Sequence, residues 1–219
     1  MNLVSCTICE RRKEKRFCPA VHGRICPQCC GEQREVTLDC PSECVYLQQA
    51  REHEKPRSLQ DLEQSALFPQ IEVGDQFLYE HEHLMVGLSF ALAKSVRADR
   101  TITDADLIAA LGSMAKSYET LVNSGLHYEM RTTSISQQAV SAEVQKIVKE
   151  YRETEQKHVG YSRLRDSDVL RALVFLLRMA HARTSGRPKS RAFVDFVLAQ
   201  FPERTIAAPE EVGSRIIVP

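Results

Sequence analysis

The sequence predicts a mainly α protein, with a small, cross-braced, cysteine-rich N-terminal module followed by an all-α bundle of about five helices. Three observations carry this. All eight cysteines of the 219-residue chain lie between Cys6 and Cys44. From Asp75 onward, apolar residues recur at the three- and four-residue spacing of a buried helix face, while alternating strand patterns are weak. Hydrophobic residues make up 43% and charged residues 26% of the chain, so it can bury a core and is unlike a disordered segment. The chain divides into a cysteine-rich module over 1–54, a linker over 55–75, a helical domain over 76–202 and a C-terminal tail over 203–219.

The cysteines are spaced Cys6-x2-Cys9-x8-Cys18-x7-Cys26-x2-Cys29-Cys30-x9-Cys40-x3-Cys44. Two cysteines separated by two residues can wrap one metal from a tight turn, and Cys6/Cys9 and Cys26/Cys29 are such pairs. Pro27 presets a turn in the second pair, and Gly31 follows it. Ser42 is placed to N-cap a helix from Glu43 to about Glu54, with Cys44 in its first turn. Eight thiolates supply two tetrahedral zinc sites, and closed four-ligand sites are structural because catalytic zinc keeps a position open for water. The preferred pairing joins Cys6, Cys9, Cys26 and Cys29 in one site and Cys18, Cys30, Cys40 and Cys44 in the other. Spacing leaves other pairings open. His22 can replace a cysteine, and one zinc with spare buried thiols or a disulfide framework also fits an even cysteine count.

Compartment follows from the same residues. The N-terminus lacks the apolar stretch of a signal peptide, and the longest apolar run, Ala172–Leu177, is far short of a membrane span. A cytoplasmic protein with no membrane partner is the expectation, and reducing cytosol favours zinc over disulfides.

Two strings in this region, Ile25-Cys26-Pro27-Gln28-Cys29-Cys30-Gly31-Glu32-Gln33-Arg34 and Cys40-Pro41-Ser42-Glu43-Cys44-Val45-Tyr46-Leu47, resemble the cysteine-rich N-terminal segment of uncharacterised bacterial proteins. That pattern is Cys-Cys-Gly-x-x-Arg followed by Cys-Pro-x-x-Cys-x-Tyr-Leu, and it covers about a fifth of the chain. The resemblance implies a bacterial cytosolic protein that binds metal, and no activity.

After Pro56 the helical part is read element by element. Phe77, His81, Leu84, Leu88, Leu92 and Val96 mark a first helix from Asp75. Thr103 with Asp106 caps a second, whose stripe runs from Leu107 to Val122 and whose C-cap is Gly125. A third spans about Ser136 to His158, with Val140, Val144, Ile147, Val148 and Tyr151 on one face. Ser167 caps a fourth, apolar nearly all round over Val169–Ala182 and therefore central. Gly186-Arg187-Pro188 breaks the chain before a fifth helix, Ser190–Phe201. The tail residues Ile216-Ile217-Val218 are expected to pack on the bundle or on another chain.

Glu80-x-x-His83 and Glu155-x-x-His158 match half of a ferritin-like di-iron pattern, but Glu80 and His83 fall on the polar side of their helix, and the two motifs sit at opposite ends of the bundle. His81 and His158 fall on apolar faces and are read as hydrogen-bonded core residues. The common nucleophile-elbow, phosphate-loop, zinc-protease and dinucleotide motifs do not occur, so no catalytic residue is assigned and a helical-domain enzyme is the third-ranked reading.

The chain holds 29 Lys+Arg against 29 Asp+Glu, so no global field draws it to nucleic acid. Residues 1–55 hold nine Lys/Arg and eight Asp/Glu, and each zinc with four thiolates adds two negative charges, so a two-zinc head is net acidic at −3. Two basic loops, Arg11–Arg16 and Arg183–Arg191, stand out locally. The expected function is a protein-interaction or assembly module that binds a protein partner or a second copy of itself. The alternative is a nucleic-acid-binding regulator using both basic loops as phosphate contacts.

Overall fold

In the computed structural model, residues 5–55, 57–58, 60, 64–126 and 134–202 are described. The fold is mainly α, as expected. The N-terminal head contains an antiparallel hairpin of β1 (Arg16–Cys18) and β2 (Gly23–Ile25), with Phe17 opposite Arg24, followed by helices α1 (Pro27–Gln33) and α2 (Val45–His53). The body is built from α3 (Asp75–Glu80), α4 (Glu82–Ala98), α5 (Asp104–Ser124), α6 (Ile135–Val159), α7 (Asp166–Arg183) and α8 (Ala192–Gln200). No helix among the described residues is long and apolar enough to cross a membrane.

In the body α5 runs along α7, α4 along α6, and α8 crosses α4 and α7. One continuous core results, from Leu84, Leu88 and Leu92 of α4 through Leu111, Val144 and Leu173 to Phe193 of α8. The central position read for α7 holds, since eight of its side chains are buried. The expected first helix is two. It breaks at His81 (φ −114°, ψ 25°), whose ring stacks on Phe77 at 4.4 Å and whose Nδ1 lies 3.1 Å from the Phe77 carbonyl oxygen.

The helix ends follow local chemistry. The Asp106 carboxylate reaches back to accept the Thr103 N–H (3.0 Å) and hydroxyl (2.8 Å), as the capping pattern predicts. Gly125 closes α5 at φ 69°, a conformation that costs glycine little. Three expected boundaries shift. The residue that caps α7 is Arg165, whose N–H donates to Asp168 at 3.1 Å, so Ser167 lies inside the helix. Helix α2 starts after Cys44, and Ser42 instead donates to Asp195 of α8 at 2.7 Å. Helix α8 begins at Ala192, because the Ser190 hydroxyl is buried against Asp104 (2.7 Å). Asp104 is wholly buried and accepts the Phe193 and Val194 N–H groups, so α5 caps α8 across the fold.

Half of the segment expected to link the two parts belongs to the body. Leu67 and Phe68 are buried, and Arg178 of α7 donates to the carbonyls of Leu67, Phe68 and Ile71 at 2.9, 2.6 and 2.8 Å. The tail residues Ile216, Ile217 and Val218 lie outside the described residues.

Head and body meet through polar groups. Glu35, only 2% exposed and held at φ 52°, accepts from Arg51 of α2 (2.8 Å) and from Ser185 of the α7–α8 loop (2.9 Å). Its carbonyl accepts the Lys189 N–H at 2.8 Å. Arg51 also pairs with Asp195 at 2.7 Å, which makes a chain of charges Glu35–Arg51–Asp195 running from head to body.

Candidate metal centre

The first cysteine pair sits on a knuckle. The Glu10 N–H donates back to the Cys6 carbonyl at 2.8 Å, and Glu10 takes a left-handed φ of 53° to close that turn. Thr7 stitches the knuckle to β2, its N–H and hydroxyl both donating to the Arg24 carbonyl at 3.0 and 2.8 Å. A side chain at Gly23 would put its Cβ 2.9 Å from the Thr7 hydroxyl oxygen, so glycine is what lets knuckle and hairpin close. The second pair comes from the start of α1. Pro27 opens the helix, Cys26 caps it, and the Cys29 N–H donates to the Cys26 sulfur at 3.4 Å.

These two turns bring the sulfurs of Cys6, Cys9, Cys26 and Cys29 within 4.8 Å of one another, a group that could hold a metal ion. Cys6, Cys26 and Cys29 are buried and Cys9 half-buried. Burial pushes the Cys6 thiol up, but backbone N–H groups around Cys9, Cys26 and Ile8 outweigh it and bring it down to about 6. Cys29 goes the other way, pushed up to about 12 by burial and by the sulfurs beside it. The Arg12 guanidinium lies 3.9 Å from the sulfurs of both Cys26 and Cys29, where it offsets thiolate charge. Four soft sulfur donors within ligand distance of one another are the kind of set that suits a thiophilic metal ion.

The other four cysteines are close by but more spread out. Cys18 ends β1 and is buried, Cys30 follows Cys29 in α1, and both belong with Cys40 to the small core of the head. Cys44 caps α2. Burial raises the Cys40 thiol, and the charges of Cys44 and Cys18 add to the rise. Among the described residues the Cys6/Cys9/Cys26/Cys29 set is the one that closes to ligand distance. His22 is exposed at the hairpin tip with φ 47°, apart from that set.

The two basic loops fare differently. In the first, Arg12 faces the thiolates, Arg16 covers the Tyr46 ring at 4.5 Å, and Glu14 pairs with Arg24 at 2.8 Å. Arg11, Lys13 and Lys15 are exposed. In the second, every cation has an internal partner. Arg183 lies 3.5 Å from the Phe196 ring centroid, and Arg187 donates to the carbonyls of Gly31 (3.2 Å) and Arg34 (2.7 Å). Lys189 bonds Thr37 O and Asp39, both at 2.9 Å, and Arg191 bonds the carbonyls of Arg100 and Ile102. The loop that reads as a phosphate patch is the docking surface for the head.

Of the histidines, His81 is half-buried and lies 3.8 Å from Asp168, whereas His158 is exposed, contrary to the core position read for it. Glu80 and His83 are exposed. Glu155 accepts from the Ser162 hydroxyl and the N–H groups of Arg163 and Leu164 (2.7, 2.9 and 3.1 Å), which caps the loop after α6. Among the described residues, neither Glu-x-x-His pair is part of a metal cluster. Sequence reasoning missed Arg12 as a thiolate partner and Glu35 as the docking acid. Arg12 left a trace in lying between two ligand pairs, and Glu35 left none.

Fold and site together define a mainly α protein with a four-cysteine, metal-competent centre in a small head docked on a helical body. Compared with known family models, curated proteins and solved structures, the chain matches none.

Proposed function

We propose that this is a cytoplasmic zinc-binding protein whose zinc is structural and whose zinc-built head serves as a protein-interaction or assembly module, engaging a protein partner or a second copy of the chain. The convergence of Cys6, Cys9, Cys26 and Cys29 carries the zinc assignment. Four sulfurs with no open position suit Zn²⁺, and such a site contributes on the order of 10 kcal/mol to folding a segment this small. The reading extends to a second zinc on Cys18, Cys30, Cys40 and Cys44, supported by the influence of Cys18 and Cys44 on Cys40 and by the shared core with Cys30. The resemblance of the cysteine strings to bacterial proteins belongs to this proposal.

Support for an interaction role comes from what the head leaves outward. Phe17 and Val45 are 56% and 58% exposed, and the cations Arg11, Lys13 and Lys15 stand near Phe17 in the chain. Metal analysis with thiol titration tests the zinc: two metals per chain and thiols released by chelation are expected. Zinc well below one per chain rejects the reading. Co-purification and solution mass test the role, which fails if no partner recurs and the chain is monomeric.

One observation favours nucleic acid as a second reading. Exposed Phe17, a ring able to stack on a base, stands opposite Arg24 in the hairpin and two residues after the exposed Lys15, although Arg24 is paired with Glu14. Affinity that falls steeply with salt, and is lost in Phe17→Ala, is the expected sign.

A further inference from the structure

The body contains an apolar recess of about 220 Å³ between α4, α7 and α8, unrelated to the cysteine centre. Its walls combine the rings and thioethers of Met85, Phe175, Met179, Phe193 and Phe196 with aliphatic side chains such as Leu78. Glu82 and Gln200, both exposed, and the half-exposed Val86 stand at its mouth. In one wall lies Ser89, only 9% exposed.

Ser89 is the informative residue. Ser95, one and a half turns further along α4 and similarly buried, donates to the Ala91 carbonyl at 2.9 Å, the usual outlet for a helical serine. The Ser89 hydroxyl has no such bond and no other partner among the described residues. The Ser89 oxygen is not sealed off from the recess, so it is open to a donor carried by a ligand there. The volume exceeds the roughly 150 Å³ of a cavity that holds benzene, so one ring system fits. Rings and thioethers favour an aromatic occupant, and the Glu82 carboxylate at the mouth disfavours an anionic one.

We infer that the recess between α4, α7 and α8 is a binding site for a small, uncharged aromatic molecule carrying one hydrogen-bond donor, which the Ser89 hydroxyl accepts. Indole is a suitable probe, and benzothiophene is its counterpart without the N–H. Titration of each into the full chain, followed by NMR shifts of the Met85 and Met179 methyl groups, tests the site. Saturable indole binding is expected between about 10 µM and 1 mM, with benzothiophene about fivefold weaker. Ser89→Ala removes only an oxygen atom and should bring indole down to the benzothiophene value. Ser89→Leu fills the recess and should abolish both without lowering the thermal midpoint. Indole that does not saturate, or that binds Ser89→Ala as tightly as the native chain, overturns the inference.

Discussion

The head and the body solve the same problem with different materials. The body buries a continuous apolar cluster drawn from four long helices and α8, so packing alone can hold it. The head has two three-residue strands and two short helices, and among the described residues its buried set is largely cysteine, with Ile25, Leu38 and Leu47 as its buried aliphatic members. So little apolar surface cannot offset the entropy of ordering some fifty residues. Under the proposed zinc, metal ligation at Cys6, Cys9, Cys26 and Cys29 is the term that closes the difference in the head.

The sharpest way to break that contrast is to remove the metal. Cys26→Ser, or a strong chelator, should unfold the head while the body keeps its helices. Most of the far-ultraviolet helical signal should then survive while residues 5–55 become sensitive to protease. Loss of the whole helical signal would mean that the body depends on the head.

The next effect belongs to the body. Asp104→Ala leaves the Ser190 hydroxyl and two buried N–H groups of α8 without their acceptor. A loss of about 3 kcal/mol is expected in urea unfolding of the body, with metal content unchanged. A change in metal stoichiometry would erase the separation between the two regions.

The joint between them should be weaker. Glu35→Gln removes the charge facing Arg51, although Asp195 still holds that guanidinium. Docking should weaken by about 2 kcal/mol, read as faster hydrogen exchange around Ser185 and Lys189 with both regions still folded.

The smallest effect is a pH dependence confined to the body. Burial raises the Glu155 carboxyl, but hydrogen bonds from Ser162, Leu164 and Arg163 outweigh it, and its folded pKa lies below the ordinary value. A depressed carboxylate contributes stability above its unfolded pKa near 4.5 that is lost as pH falls through the lower folded value. Glu155→Gln should therefore cost under about 1 kcal/mol at neutral pH, and the difference from the native protein should vanish in acid.

Much of this was legible in the sequence wherever the determinants are local. Cys-x-x-Cys spacing encodes a turn, so the set Cys6, Cys9, Cys26 and Cys29 could be paired before any fold was known. The stripe of α6 and the cap of Thr103 by Asp106 likewise depend on residues three or four apart. What stayed hidden acts at long range. Ser42 looks like a helix cap, but its partner is 153 residues away in α8, and Glu35 meets Ser185 across 150 residues. The basic loop at Arg183–Arg191 misled for the same reason. A run of cations shows its charge in sequence, while the carbonyls and ring that absorb it come from elsewhere in the fold.

The central claim is that a metal, held by four sulfurs, builds the head. X-ray absorption at the zinc edge on the purified full chain, with metal content measured on the same sample, tests it most directly. Four sulfur neighbours near 2.3 Å, at one or more zinc per chain and lost in Cys26→Ser, is the expected result. Zinc well below one per chain, a nitrogen- or oxygen-rich shell, or cysteines already oxidised in the folded protein would contradict it.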